Sequence, residues 1–208
     1  NQLNNTTNEF RAGIQARPNE KFEYRIDAGV KAFQFGGALA DTDSWFKYYF
    51  NDKVNVILGI KRNNIEQSYL SCVGEPINGI FTGRAIDNKL YAEYNVKLKK
   101  QFYTFGRFAY GVIPAQNLET NQYLEGILGF GRVIYNNPKN PYLQLITADV
   151  VTYNTGYQYD LLNIYNNQGT AFGGYFSPSF FTANTVAIKI EGEIKKWRLK
   201  YITKGFFG

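Results

Sequence analysis

Apolar and polar residues alternate with a period of two along most of this chain. Across residues 21–35, Phe22, Tyr24, Ile26, Ala28, Val30 and Ala32 share one face, and Glu23, Arg25, Asp27, Gly29 and Lys31 share the other. Successive side chains of a strand point to opposite faces, so this segment reads as a strand with one apolar and one charged side. Wound as a helix, it would scatter charges and aromatics all the way round. The pattern returns at residues 86–99, where Ile86, Leu90, Ala92, Tyr94, Val96 and Leu98 oppose Asp87, Lys89, Tyr91, Glu93, Asn95, Lys97 and Lys99. Near the C-terminus Val186, Ile188 and Ile190 oppose Lys189, Glu191 and Glu193. Weaker versions cover 10–17, 54–62, 102–113, 123–134 and 142–153, and with 44–50 and 197–203 they predict about ten strands.

Strand length and punctuation narrow the fold class. Strands of soluble sheets typically run about five or six residues, whereas a tilted strand crossing a bilayer needs roughly nine to eleven. Short polar turns are expected at 18–20, 51–53, 99–101, 136–140 and 195–196, alternating with longer connections at 36–43, 64–83, 114–120 and 154–182. Short turns at one end and long loops at the other are the pattern of an outer-membrane barrel. The expectation is an all-β chain, a single domain over 1–208 built as an antiparallel transmembrane β-barrel, complete or part of a larger one. The segment 45–50, Trp-Phe-Lys-Tyr-Tyr-Phe, is aromatic on both faces and suits an interfacial girdle, where Trp and Tyr collect at headgroup level. A soluble β-sandwich would show the same alternation, with the apolar face in its core, and stays open at this point.

Composition removes most catalytic chemistry. The chain has no His and one cysteine, Cys72, so the commonest general base is missing and no disulfide or thiolate cluster can form. Glu191 and Glu193 lie about 7 Å apart on one strand face, within glycosidase range, but carboxylates alternating with Lys and Arg read better as ion pairs lining a lumen. Gly129-Phe130-Gly131 lies inside a strand and is no phosphate loop. No enzyme activity, cofactor or metal is expected. The net charge is +6, yet the cations are spread along the chain without the dense block of a nucleic-acid footprint, and no nucleic-acid partner is expected.

One stretch is more specific. Asn140-Pro141 opens a long strand that ends near Tyr153-Asn154, and Tyr159 leads by a loop into Gly173-Gly174-Tyr175-Phe176-Ser177-Pro178. A further strand from Ala183 and then Trp197-Arg198-Leu199 follow. This arrangement resembles the C-terminal barrel domain of the cellulose synthase operon protein C family. The resemblance implies an outer-membrane pore that exports an exopolysaccharide such as cellulose, attached to a periplasmic scaffold of helical repeats. The family barrel continues further beyond this motif than the present chain does, which leaves closure within these residues open. On that reading membrane lipid, a glucan in transit and secretion-complex subunits are the partners, and the bacterial outer membrane is the location. The lumen candidates are Glu23, Arg25, Asp27, Lys31, Asp87, Lys89, Tyr91, Glu93, Tyr103 and Arg107, mixing hydrogen-bonding groups with aromatic platforms. The rival readings are a general porin or structural barrel, and a soluble carbohydrate-binding or adhesin sandwich.

Overall fold

The computed structural model describes residues 7–33, 37–66, 69–72, 74–77, 79–99, 101–140, 142–160, 174–194 and 199–207. Its strands are β1 (Thr7–Asn19), β2 (Phe22–Phe33), β3 (Gly37–Tyr49), β4 (Val54–Asn64), β5 (Glu75–Ile77), β6 (Ile80–Thr82), β7 (Ile86–Lys97), β8 (Phe102–Ala115), β9 (Leu118–Asn136), β10 (Leu145–Tyr157), β11 (Phe181–Ile194) and β12 (Leu199–Phe207). A single helical turn, α1 (Tyr69–Cys72), precedes the small β5–β6 hairpin. The other ten strands form one antiparallel meander in the order β1-β2-β3-β4-β7-β8-β9-β10-β11-β12. The sheet is not closed: β1 and β12 stand at its two ends.

Asparagine carboxamides shape the short turns. Asn19 Oδ1 accepts from Lys21 N at 2.9 Å, Asn51 Oδ1 from Lys53 N at 2.8 Å, and Asn137 Oδ1 from Lys139 N at 3.1 Å. Such side chains mimic a backbone turn two residues on, which is why Asn punctuates the pattern here. The predicted turn at Lys195 and Lys196, with Trp197 and Arg198, lies outside the described residues, as does Gly173.

Two of the four predicted long connections are corrected. β3 begins at Gly37 and absorbs most of 36–43, and β8 and β9 meet through Gln116 and Asn117 alone instead of a loop over 114–120. Gly37 (φ 81°) and Asn117 (φ 53°) take left-handed conformations that glycine and asparagine tolerate, so the chain reverses in fewer residues than composition suggests. The long connections that remain are 65–85 and 158–180.

Away from the register shifts near Asn19, Ala115 and Ile146, the registers from β1 to β11 pair odd-numbered residues with odd, so one face of the sheet carries them. That face is concave. Neighbouring strands lie about 4.8 Å apart, yet on the odd face side chains two strands apart touch: Arg11 of β1 meets Asp41 of β3 at 2.6 Å, and Tyr123 of β9 meets Asp87 of β7 at 2.8 Å. The polarity is inverted relative to a soluble sheet. Asp27, Asp41, Asn121, Glu125 and Thr147 are buried, while Ile14, Ile26, Leu58, Ile60, Leu90, Leu124, Leu128 and Phe130 on the even face are more than half exposed or nearly so. The sandwich reading needed the opposite arrangement.

Among the described residues the concave side holds one apolar cluster, at the end bearing the long connections. Ala85, Ile113, Tyr123 and Tyr175 form it, with Ile65, Ala115 and Tyr157 packed around. Tyr123 stacks on Tyr157 with centroids 4.8 Å apart. The segment 174–178 is drawn in by a hydrogen bond from Tyr157 N to Pro178 O at 3.0 Å.

Candidate functional site

All ten lumen candidates have odd numbers in β2, β7 and β8, and the structure puts every one on the concave face. Period-two alternation had already grouped them within each strand. What folding adds is the meeting of different strands, which gathers them into two networks.

The first network spans β1 to β3 around Asp27, 3% exposed. Arg25 Nε donates to its carboxylate at 2.8 Å and Asp43 N donates to it at 2.9 Å. Arg11 Nη1 lies 3.8 Å away and uses its other nitrogen on Asp41 at 2.6 Å. Ser44 Oγ and Thr42 Oγ1 both donate to the Asp27 carbonyl. Nearer the short turns, Glu23 accepts from Tyr49 Oη and Gln15 Nε2, each at 2.8 Å. At the other end Lys31 pairs with Glu66.

The second network spans β7 to β10. Lys89 Nζ donates to Glu125 at 3.1 Å and sits 5.3 Å from the Tyr123 ring centroid, while Tyr123 Oη donates to Asp87. Arg107 Nε donates to Glu93 at 2.7 Å, its Nη1 lies 3.9 Å from Glu125, and its guanidinium covers the Tyr91 ring at 5.2 Å. Tyr103 donates to Asp149, and Tyr153 Oη reaches Glu125 at 3.5 Å. Tyr91 Oη, 3.5 Å from Asp43, links the two networks across β4.

Sequence reasoning missed Arg11, Asp41, Asp43, Tyr123, Glu125 and Asp149. Two of these, Asp41 and Asp43, fell in 36–43, which was expected to be one of the longer connections. For Glu125 the signal was present: it occupies the same phase as Tyr123 in a strand whose other phase reads Leu124, Gly126, Leu128 and Phe130.

The aromatic segment of β3 splits between the faces. Phe46, Tyr48 and Phe50 are exposed on the outer side, where Tyr48 meets Phe50 edge-on at 4.9 Å and Phe22 approaches Tyr48 at 6.1 Å. Trp45, Lys47 and Tyr49 occupy concave positions. In the Gly-Gly-Tyr-Phe-Ser-Pro motif, Gly174 has φ 65°, Tyr175 is 2% exposed in the apolar cluster, and Phe176 meets Phe181 at 5.3 Å. Burial pushes the Tyr175 hydroxyl up to about 12. The motif therefore anchors a loop to the wall through Tyr175.

The arrangement suits holding and passing a hydrated solute. Its carboxylates pair with neighbouring cations or accept hydrogen bonds from tyrosine hydroxyls, and its rings lie along the wall. Among the described residues no group of three or more His, Cys, Asp or Glu is placed to hold a metal ion. The family model for the cellulose synthase operon protein C C-terminus matches residues 44–204. No curated protein matches the sequence.

Proposed function

Because this chain belongs to the cellulose synthase operon protein C C-terminal family, we propose that it forms the wall of an outer-membrane channel that exports an exopolysaccharide, with a cellulose-like glucan as its cargo. The observation that carries the reading is the inverted polarity of the sheet. An aliphatic and aromatic outer face fits lipid, and a concave face of compensated charges fits a wet lumen. Every strand of the main sheet spans nine residues or more, enough for a tilted crossing of the hydrocarbon layer. The outer aromatics Phe22, Phe46, Tyr48 and Phe50 would lie at the interface on the short-turn side.

The conduit is passive. A glucan strand offers hydroxyls and flat apolar ring faces, which Tyr103 and the charged networks complement by hydrogen bonding and stacking without any bond being made or broken. Lipid surrounds the barrel on this reading, and a periplasmic scaffold of helical repeats and other secretion subunits meet it on the short-turn side. Two measurements test it. The protein should fractionate with the outer membrane and need detergent for extraction. Cells producing the polymer but lacking this chain should retain the polymer inside the outer membrane. Solubility and monodispersity without detergent, or undiminished export, would overturn the proposal.

A further inference from the structure

Charge is nearly absent from the outer face of the sheet. Every Asp and Glu of β1–β4 and β7–β11 is odd-numbered, so away from the register shifts that face carries no carboxylate. Among the described residues of those strands it carries two cations, Arg62 in β4 and Arg132 in β9.

The two arginines occupy opposite rims. Arg62 shares a row with Thr42, Asn88, Val112 and Gln122, beside the long connections. Arg132 pairs with Phe102 at the short-turn end, its guanidinium 5.3 Å from the centroid of that ring. Along β9, Gln122 and Arg132 are ten residues apart, with Leu124, Leu128 and Phe130 exposed between them. At about 3.3 Å per residue and a tilt of roughly 40°, the two rows are separated by about 25 Å of height, the depth of the apolar band of an outer-membrane barrel. On the conduit reading, each arginine therefore stands at a headgroup level.

The Arg62 rim has the parts of a binding site. Arg62 Nε donates to Ala40 O at 3.1 Å and Nη1 to Asn88 Oδ1 at 2.8 Å, which fixes the guanidinium against the sheet. Glu66, just beyond β4, pairs with Lys31, and Arg62 forms no ion pair among the described residues. On the neighbouring strands Tyr110 Oη donates to Gln122 Oε1 at 2.7 Å. Arg62, Asn88 and Tyr110 border a hollow of about 420 Å³ whose lower wall is Ile60 and Leu90, both more than half exposed. A planar guanidinium matches a phosphate in two hydrogen bonds, and an aliphatic floor below it matches an acyl chain. A free phosphate ion would satisfy Arg62 and leave Ile60 and Leu90 bare. From Arg62 to Gln122 the polar row spans three strand spacings, roughly 14 Å, which gives room for more than one sugar ring.

We propose that this rim seats a phosphorylated, multiply acylated glycolipid of the leaflet on the long-connection side. Arg62 takes the phosphate, Asn88, Tyr110 and Gln122 take hydroxyls and amides of the sugar, and Ile60 and Leu90 take an acyl chain. The proposal rests on the conduit reading, which puts lipid against this face.

Native mass spectrometry of the full protein in dodecyl maltoside micelles tests it. Half-saturation by a hexa-acylated glucosamine disaccharide bearing two phosphates should need at least about tenfold less lipid than its phosphate-free form, as one charge-assisted contact implies. Arg62→Gln, whose folding is checked by its unheated electrophoretic band, should erase that difference, and Arg132→Gln should keep it. Equal retention of the two lipids by the unaltered protein overturns the inference. So does a preference that survives Arg62→Gln, or complete displacement of the lipid by millimolar inorganic phosphate. All three leave the conduit standing. A protein that stays soluble and monodisperse without detergent overturns the conduit, and this inference with it.

Discussion

The ring of Tyr91 lies across Gly59, its direct partner on the neighbouring strand, so closely that a Cβ added to the glycine would fall inside the ring's contact distance. The same relation links Tyr123 with Gly111, Phe105 with Gly129 and Tyr103 with Gly131, all on the concave face. A missing side chain on one strand lets the aromatic of the next lie along the concave face instead of standing away from it. That leaves Tyr91 available to Arg107 and Asp43.

Gly59→Ala should therefore force Tyr91 off the wall. Overpacking of this kind typically costs about 1–3 kcal/mol, read as a lowered denaturant midpoint of the refolded protein. Adding Tyr91→Ala should make the two changes non-additive, because the clash disappears with the ring. Simple additivity would show that the ring does not need the glycine.

Asp27→Asn removes the anion that Arg25 and Arg11 share while keeping an acceptor for Asp43 N. The loss should be roughly 1–3 kcal/mol, because a carboxylate this buried leaves unbalanced guanidinium groups behind. Glu191→Gln, at a half-exposed pair with Lys189, should change stability by less than about 1 kcal/mol. Equal effects at both sites would contradict the burial difference.

Leu58 on the outer face is 57% exposed, a position where a charge would be harmless in water. In a bilayer Leu58→Arg should destabilise by as much as ~2–4 kcal/mol near the midplane. Unfolding titrations in vesicles decide between the two. A neutral result would place this face in solvent.

Cys72 belongs to the connection between β4 and β7, where Asn64 Nδ2 donates to its carbonyl at 2.9 Å and lies 3.3 Å from its Sγ. Burial first, and then Glu66, push its thiol upward. Because the thiolate is the reactive form, alkylation at neutral pH should be slower than for a free thiol and should rise only above the ordinary value of about 8.5. The sign for stability is the same: the native state prefers the protonated thiol, so its contribution is full below the ordinary thiol range and is lost as pH rises through the shifted value. Rapid labelling at pH 7 would show that the connection opens.

How much of the site was legible in advance can be argued residue by residue. Glu23, Arg25, Asp27, Asp87, Lys89 and Glu93 were identifiable because each sits in a strand whose two phases differ sharply in polarity. Asp41 was hidden because 36–43 was expected to be a connection, whereas β3 already begins at Gly37. The anchoring of Tyr175 was not predictable, because its neighbours Ala85, Ile113 and Tyr123 come from strands far away in sequence.

Local chemistry in the sequence determined most of the strands, the short Asn-marked turns and the membership of each face, because side-chain alternation is a property of a single extended segment. It also carried the family resemblance through a short motif. The tertiary structure alone decided which face is concave, which carboxylate meets which cation, and that Tyr175 packs against Ala85, Ile113 and Tyr123. Those facts depend on register and curvature, which arise only when separate strands pair and the sheet bends, and no single segment contains that information.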